Sequence, residues 1–91
     1  SYIRTYDFVG LVLDYDKETK IATIEQRNRI FVGDEVEFFG PRDGFETFKI
    51  EKMYDDKDEE IDVAPRAKQI IKMPLPFEVK PWDIMRKKLE D

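Results

Sequence analysis

Apolar and polar residues alternate along most of this chain, and a period of two marks strands, whose successive side chains point to opposite faces. Val9, Leu11 and Leu13 alternate with Gly10, Val12 and Asp14, which predicts a first strand. The polar stretch 14–20 is rich in turn formers, and Ile21-Ala22-Thr23-Ile24-Glu25 resumes a β-branched pattern, so the two runs predict a hairpin. Arg27-Asn28-Arg29 interrupts as a bulge or corner, Asn28 being suited to a left-handed backbone, before Ile30-Phe31-Val32 and a Gly33-Asp34 turn. Glu35-Val36-Glu37-Phe38-Phe39 alternates again, Gly40-Pro41-Arg42-Asp43-Gly44 is a strong turn, and 45–53 supplies the partner strand of a second hairpin.

The segment 55–60 is too charged to bury and reads as a loop. Ile61-Asp62-Val63 is a short apolar connection closed by Ala64-Pro65. Gln69-Ile70-Ile71-Lys72-Met73 forms a last strand, ended by Pro74 and Pro76, which remove backbone donors. Pro81 suits a first helical turn, so a short terminal helix is predicted over 82–87. Five or six short strands with frequent turns predict an all-β fold, a small closed or nearly closed β-barrel with a short C-terminal helical turn; a sandwich is the alternative. The expected core is Val9, Leu11, Leu13, Ile24, Val36, Phe38, Phe48 and Ile50.

Length narrows this to one domain over 1–91, because a second core needs a longer chain. At 41% hydrophobic and 13% aromatic the chain is too apolar for a disordered tail. It begins at Ser1 and reads as an excised piece of something longer, expected to be monomeric. No apolar run approaches the ~20 residues of a membrane-spanning helix, so the expectation is a cytoplasmic protein without membrane contact.

Charge is unevenly spread. Seven acids against two lysines between Glu51 and Asp62 account for the whole net charge of −5, while Lys80, Arg86, Lys87 and Lys88 form a basic end. With no Cys and no His, disulfides, thiolate metal sites and the commonest catalytic base are excluded. Asp14, Asp16, Glu18 and Glu25 match four positions of a calcium loop, but Thr19 stands where the sharp turn needs Gly. Asp56, Asp58 and Glu60 fail in the same way at Ile61, and solvated loops are the better reading. No cofactor, metal or catalytic residue is expected. Phosphate-cradling glycine loops and nucleophile elbows are absent. The candidate binding face is Arg27, Asn28, Arg29 and Phe31, extended by Lys68 and Lys72, since arginines position phosphates and exposed aromatics stack on bases. Phe31 as core and the arginines as a solvated corner are the competing reading. The acidic loop 55–62 is expected to point away from the Arg27-Asn28-Arg29 corner, because beside it the field would cancel.

Val9-Gly10-Leu11-Val12-Leu13-Asp14-Tyr15-Asp16, Ala22-Thr23-Ile24-Glu25-Gln26-Arg27-Asn28, Phe31-Val32-Gly33-Asp34-Glu35-Val36-Glu37 and Gly40-Pro41 together resemble one family, the C-terminal domain of the collagenase-like peptidases of family U32. Ile61-Asp62-Val63-Ala64-Pro65, Gln69-Ile70 and Lys80-Pro81-Trp82-Asp83 extend the likeness over nearly the whole chain. The resemblance implies a small β-barrel, similar to the second domain of translation elongation factors, following a larger catalytic domain that carries the iron–sulfur and catalytic residues. It also implies a bacterial role in prephenate-dependent hydroxylation of a wobble uridine in tRNA. The expected function is a non-catalytic accessory domain that assists recognition of a macromolecular substrate, tRNA or protein such as collagen, with its own catalytic domain as partner. The alternative is a structural or interaction domain that packs on the catalytic domain or a second subunit, marked by an exposed apolar patch rather than a basic one.

Overall fold

A computed structural model describes residues 6–40, 44–64 and 66–88. Ten strands follow in order: β1 (Tyr6–Asp16), β2 (Ile21–Gln26), β3 (Ile30–Phe31), β4 (Glu35–Gly40), β5 (Gly44–Lys49), β6 (Met53–Asp55), β7 (Glu60–Ile61), β8 (Val63–Ala64), β9 (Ile70–Pro74) and β10 (Ile84–Lys88). Eight of them form one antiparallel sheet in the order β5-β4-β10-β1-β2-β9-β6-β7, curled into a half-barrel, and β3 and β8 make a separate ribbon. The all-β prediction holds, as do the two hairpins β1–β2 and β4–β5. The turn expected at 40–44 lies mostly outside the described residues.

The predicted terminal helix is absent, and its residues form β10 instead. Pro81 sits in a turn in which the Asp83 amide donates to the Lys80 carbonyl and the Asp83 carboxylate accepts from the Lys80 amide, both at 3.0 Å. After the turn, β10 lies between β1 and β4, with Met85 fully buried opposite Gly10 and Phe38. Insertion between two strands satisfies backbone groups on both sides, which outweighs the weak helical preference of a short segment. The long strand predicted over 45–53 also breaks. After β5 at one edge of the sheet, the Ile50 amide donates to Asp34 O and the Gly33 amide to Ile50 O. The chain then resumes as β6, near the opposite edge.

The core holds Val9, Val12, Ile24, Ile30, Val36, Phe38, Ile50, Met53, Ile71, Met73, Leu75 and Met85, all buried. Phe77 packs edge-on against Phe38 and Phe48, with ring centroids 5.7 and 6.0 Å apart. Of the predicted core, Val9, Ile24, Val36, Phe38 and Ile50 are buried and Phe48 is half-buried against it. Leu11 and Leu13 are not core residues but half-buried ones. The cause is a pair of irregularities in β1. The pairing with β10 shifts between Phe8 and Gly10, and the pairing with β2 shifts between Val12 and Asp14. A bulge inserts one residue and so reverses which face the following positions occupy. Val9 and Gly10 are consecutive buried positions, Val12 points inward, and Leu11 and Leu13 are displaced from the core.

Candidate nucleic-acid interface

The corner at 27–29 hangs from β1 by three hydrogen bonds. The Arg27 amide donates to Val9 O at 2.8 Å, the Asn28 amide to the same oxygen at 3.4 Å, and Asn28 Nδ2 to Phe8 O at 2.9 Å. Asn28 is not among the left-handed residues, so its contribution is the side-chain amide rather than the backbone freedom expected of it. Arg27, Asn28 and Arg29 are all exposed. Arg27 Nη2 lies 3.2 Å from Glu25 Oε1, and its guanidinium is 5.6 Å from the Phe8 ring centroid.

Gln26 ties a second cationic segment to this corner. Its backbone amide donates to Gln69 O at 2.8 Å, its carbonyl accepts from the Lys68 amide at 2.7 Å, and its Nε2 donates to Arg66 O at 2.8 Å. Gln26 is buried, and its Oε1 is buried without a protein partner among the described residues. Lys68 takes a left-handed backbone with φ of 64°, which closes the turn at 66–69. Arg27, Arg29, Arg66 and Lys68 thus come from two segments laced together at one residue. Among the described residues none of Arg29, Arg66 and Lys68 makes an ion pair. Sequence reasoning missed Arg66, because only the long-range bond from Gln26 brings it here.

Lys72 and Phe31 occupy different surroundings. Lys72 lies on β9, and its Nζ is 3.0 Å from Asp58 Oδ1 in the acidic β6–β7 hairpin. The acidic loop therefore folds onto Lys72, which removes that lysine as an extension of the positive area. Asp55 organises that loop by accepting from the Glu59 and Lys57 amides, and these bonds, led by Glu59, hold its carboxyl below the usual range. Phe31 is 42% exposed on β3, with the Lys87 ammonium 5.8 Å from its ring centroid. Two of the four cations of the basic C-terminal end are paired, Arg86 with Glu37 at 2.9 Å and Lys87 with Asp34 at 3.1 Å.

Tyr15 has a phenol pushed above its ordinary value by burial first, then by Glu78 and Asp16, and its hydroxyl donates to Leu75 O at 3.2 Å. That bond closes the end of the core and needs no catalytic explanation. Among the described residues no cluster of three or more acidic groups is placed to hold a metal ion, and no helix is long and apolar enough to cross a membrane.

The model of the peptidase family U32 C-terminal domain matches residues 4–86. The tRNA hydroxylation protein P1 of Bacillus subtilis (strain 168) is 48% identical over 83 residues, which cover 91% of this chain and 20% of that relative. Two crystal structures of the C-terminal domain of a Geobacillus thermoleovorans protein assigned to the U32 peptidases superpose with TM-scores of 0.85. The selenomethionine variant is 48% identical and covers 89% of this chain and 99% of its own, while the second is 45% identical and covers 92% and 93%. The chain therefore spans about a fifth of the curated relative but nearly all of each crystallised domain, and it belongs to the U32 peptidase C-terminal domain family.

Proposed function

We propose that this domain is a non-catalytic accessory module that helps a larger enzyme hold a tRNA substrate, with Arg27, Asn28, Arg29, Arg66 and Lys68 facing the phosphate backbone. The observation that carries this reading is the lacing through Gln26, which brings the backbone of the 66–69 turn, with Arg66 and Lys68, against the strand end that leads into Arg27 and Arg29, Arg27 alone of the four being paired among the described residues, with Glu25. Arginine forks match phosphate oxygens in pairs, and a polyanion rewards such a cluster more than a protein surface does. The relative that bears the name tRNA hydroxylation protein P1 supports the choice of nucleic acid. The chain holds no Cys or His, and its perturbed groups, Tyr15 and Asp55, are explained by core packing and by a turn, which supports a role in binding rather than chemistry.

A single module with a few phosphate contacts binds weakly alone and gains through tethering. The test is accordingly made in a full-length protein carrying this domain, by measuring the affinity of a tRNA transcript for Arg27→Ala/Arg29→Ala, Arg66→Ala/Lys68→Ala and Lys72→Ala forms. The two corner doubles weaken binding and Lys72→Ala leaves it unchanged. Equal affinity across all forms, with the fold intact, assigns the corner to structure.

A further inference from the structure

Trp82 is 73% exposed and has φ of 78°. For a bulky side chain this backbone region is an outlier, and such strain persists only where the surroundings impose it. Here they do: the Trp82 amide donates to Val12 O at 2.8 Å, the Val12 amide donates to Asp83 O at 2.9 Å, and the Asp83 carboxylate closes the turn on Lys80. The fold thus spends backbone strain to hold an indole in solvent, where it gains nothing from burial.

The turn leads into β10, whose Ile84 is the middle of an apolar row on the outer side of the sheet. Leu11 pairs with Ile84, and Ile84 with Phe39, across β1, β10 and β4, and Phe39 and Ile84 are both exposed. We infer that Trp82, with Leu11, Ile84 and Phe39, is the docking face for the rest of the polypeptide in which this domain is embedded, Trp82 being the anchor that enters an apolar pocket there. Two observations select this occupant. The curated relative is about five times as long as the stretch this chain matches, so a large tethered body is at hand. A tether raises effective concentration enough for a small patch to suffice, whereas a free second copy needs a larger interface. This docking face meets the cationic corner at Glu25, which stands opposite Leu11 and pairs with Arg27, but its anchor Trp82 lies on a different turn, and the inference goes beyond the tRNA-holding reading.

The crystallised relatives consist almost wholly of this domain, so it folds alone and serves as a reference. Hydroxyl-radical oxidation of Trp82, the one tryptophan of the chain, is compared between the isolated domain and a full-length protein carrying it. The inference predicts several-fold protection in the full-length protein without RNA. It also predicts that Ile84→Asp in the full-length protein removes that protection, while Arg27→Ala/Arg29→Ala leaves it in place. Equal oxidation in both proteins overturns the inference. So does protection that appears only on adding tRNA, or only as the isolated domain is concentrated. Loss of tRNA affinity in the corner variants with Trp82 still protected leaves both readings standing, so either can fail without the other.

Discussion

Gly10→Ala is a small perturbation at a crowded point of the sheet. Gly10 lies in β1 between Met85 of β10 and Gln26 of β2. A Cβ built there would stand 2.7 Å from Ile24 Cγ2, 3.3 Å from Met85 Sδ and 3.5 Å from Glu25 O. Carbon pairs are comfortable at about 3.5–4.0 Å, so the first contact must open by roughly 1 Å. Met85 can yield by rotating its thioether, but Ile24 is β-branched and fully buried, so its Cγ2 moves only through a stiff, tightly packed χ1 or with the backbone. Overpacking of this kind costs about 1–3 kcal/mol, and the reduced freedom of the unfolded chain returns about 0.4–1 kcal/mol. The net loss is about 1–2 kcal/mol. For a domain of this size it lowers Tm by roughly 5–15 °C. Urea melts with an unchanged slope measure the loss directly. Ile24→Ala removes the clashing methyl and alone costs about 2–5 kcal/mol, so the double variant should cost less than the two singles together by about 1 kcal/mol. A Gly10→Ala protein as stable as wild type, or strict additivity with Ile24→Ala, refutes the packing argument.

Leu11→Ala, at a half-buried position, should destabilise by about 1 kcal/mol, against about 2–5 kcal/mol for Ile71→Ala in the core, as read by paired denaturant melts. At the left-handed Trp82, Trp82→Gly should be more stable than Trp82→Ala by about 1 kcal/mol, because Gly alone adopts that conformation without penalty; equal stability would place the strain elsewhere. Asp55 has a folded pKa below its unfolded value near 3.8, so its contribution is present above that value and is lost as pH falls through the folded one. Asp55→Asn should therefore be less stable than wild type near neutral pH, and the gap should close as the pH is taken below about 3.8 in equilibrium melts; a gap that persists in acid would assign the effect to something other than the carboxylate.

Hairpins and turn positions were legible in the sequence because alternation and Gly or Asp turns are local signals. The facing of β1 was not. Val9, Leu11 and Leu13 look like one face, and only the bulges beside Gly10 and after Val12 reveal that Val12 replaces the two leucines in the core. Segment 82–87 misled for a related reason: Pro81 suits either a first helical turn or the second position of a tight turn, and the choice was made by two distant strands, β1 and β4. The candidate face was read in part. Arg27, Asn28 and Arg29 are adjacent in the chain, whereas Arg66 and Lys68 join them only through Gln26, about 40 residues away. Lys72 has the right charge but lies against Asp58, a pairing set by how the β6–β7 hairpin packs on β9.

The central claim is that the Gln26-laced corner neutralises phosphates, and the salt dependence of tRNA binding tests it most directly. Each phosphate neutralised adds about 0.7–0.9 to the slope of log affinity against log salt. In a full-length protein carrying this domain, replacing Arg27, Arg29, Arg66 and Lys68 together by Ala should flatten that slope by roughly 3, while Lys72→Ala leaves it as in wild type. A slope unchanged by the fourfold replacement, in a protein whose melt shows the fold intact, would contradict the account.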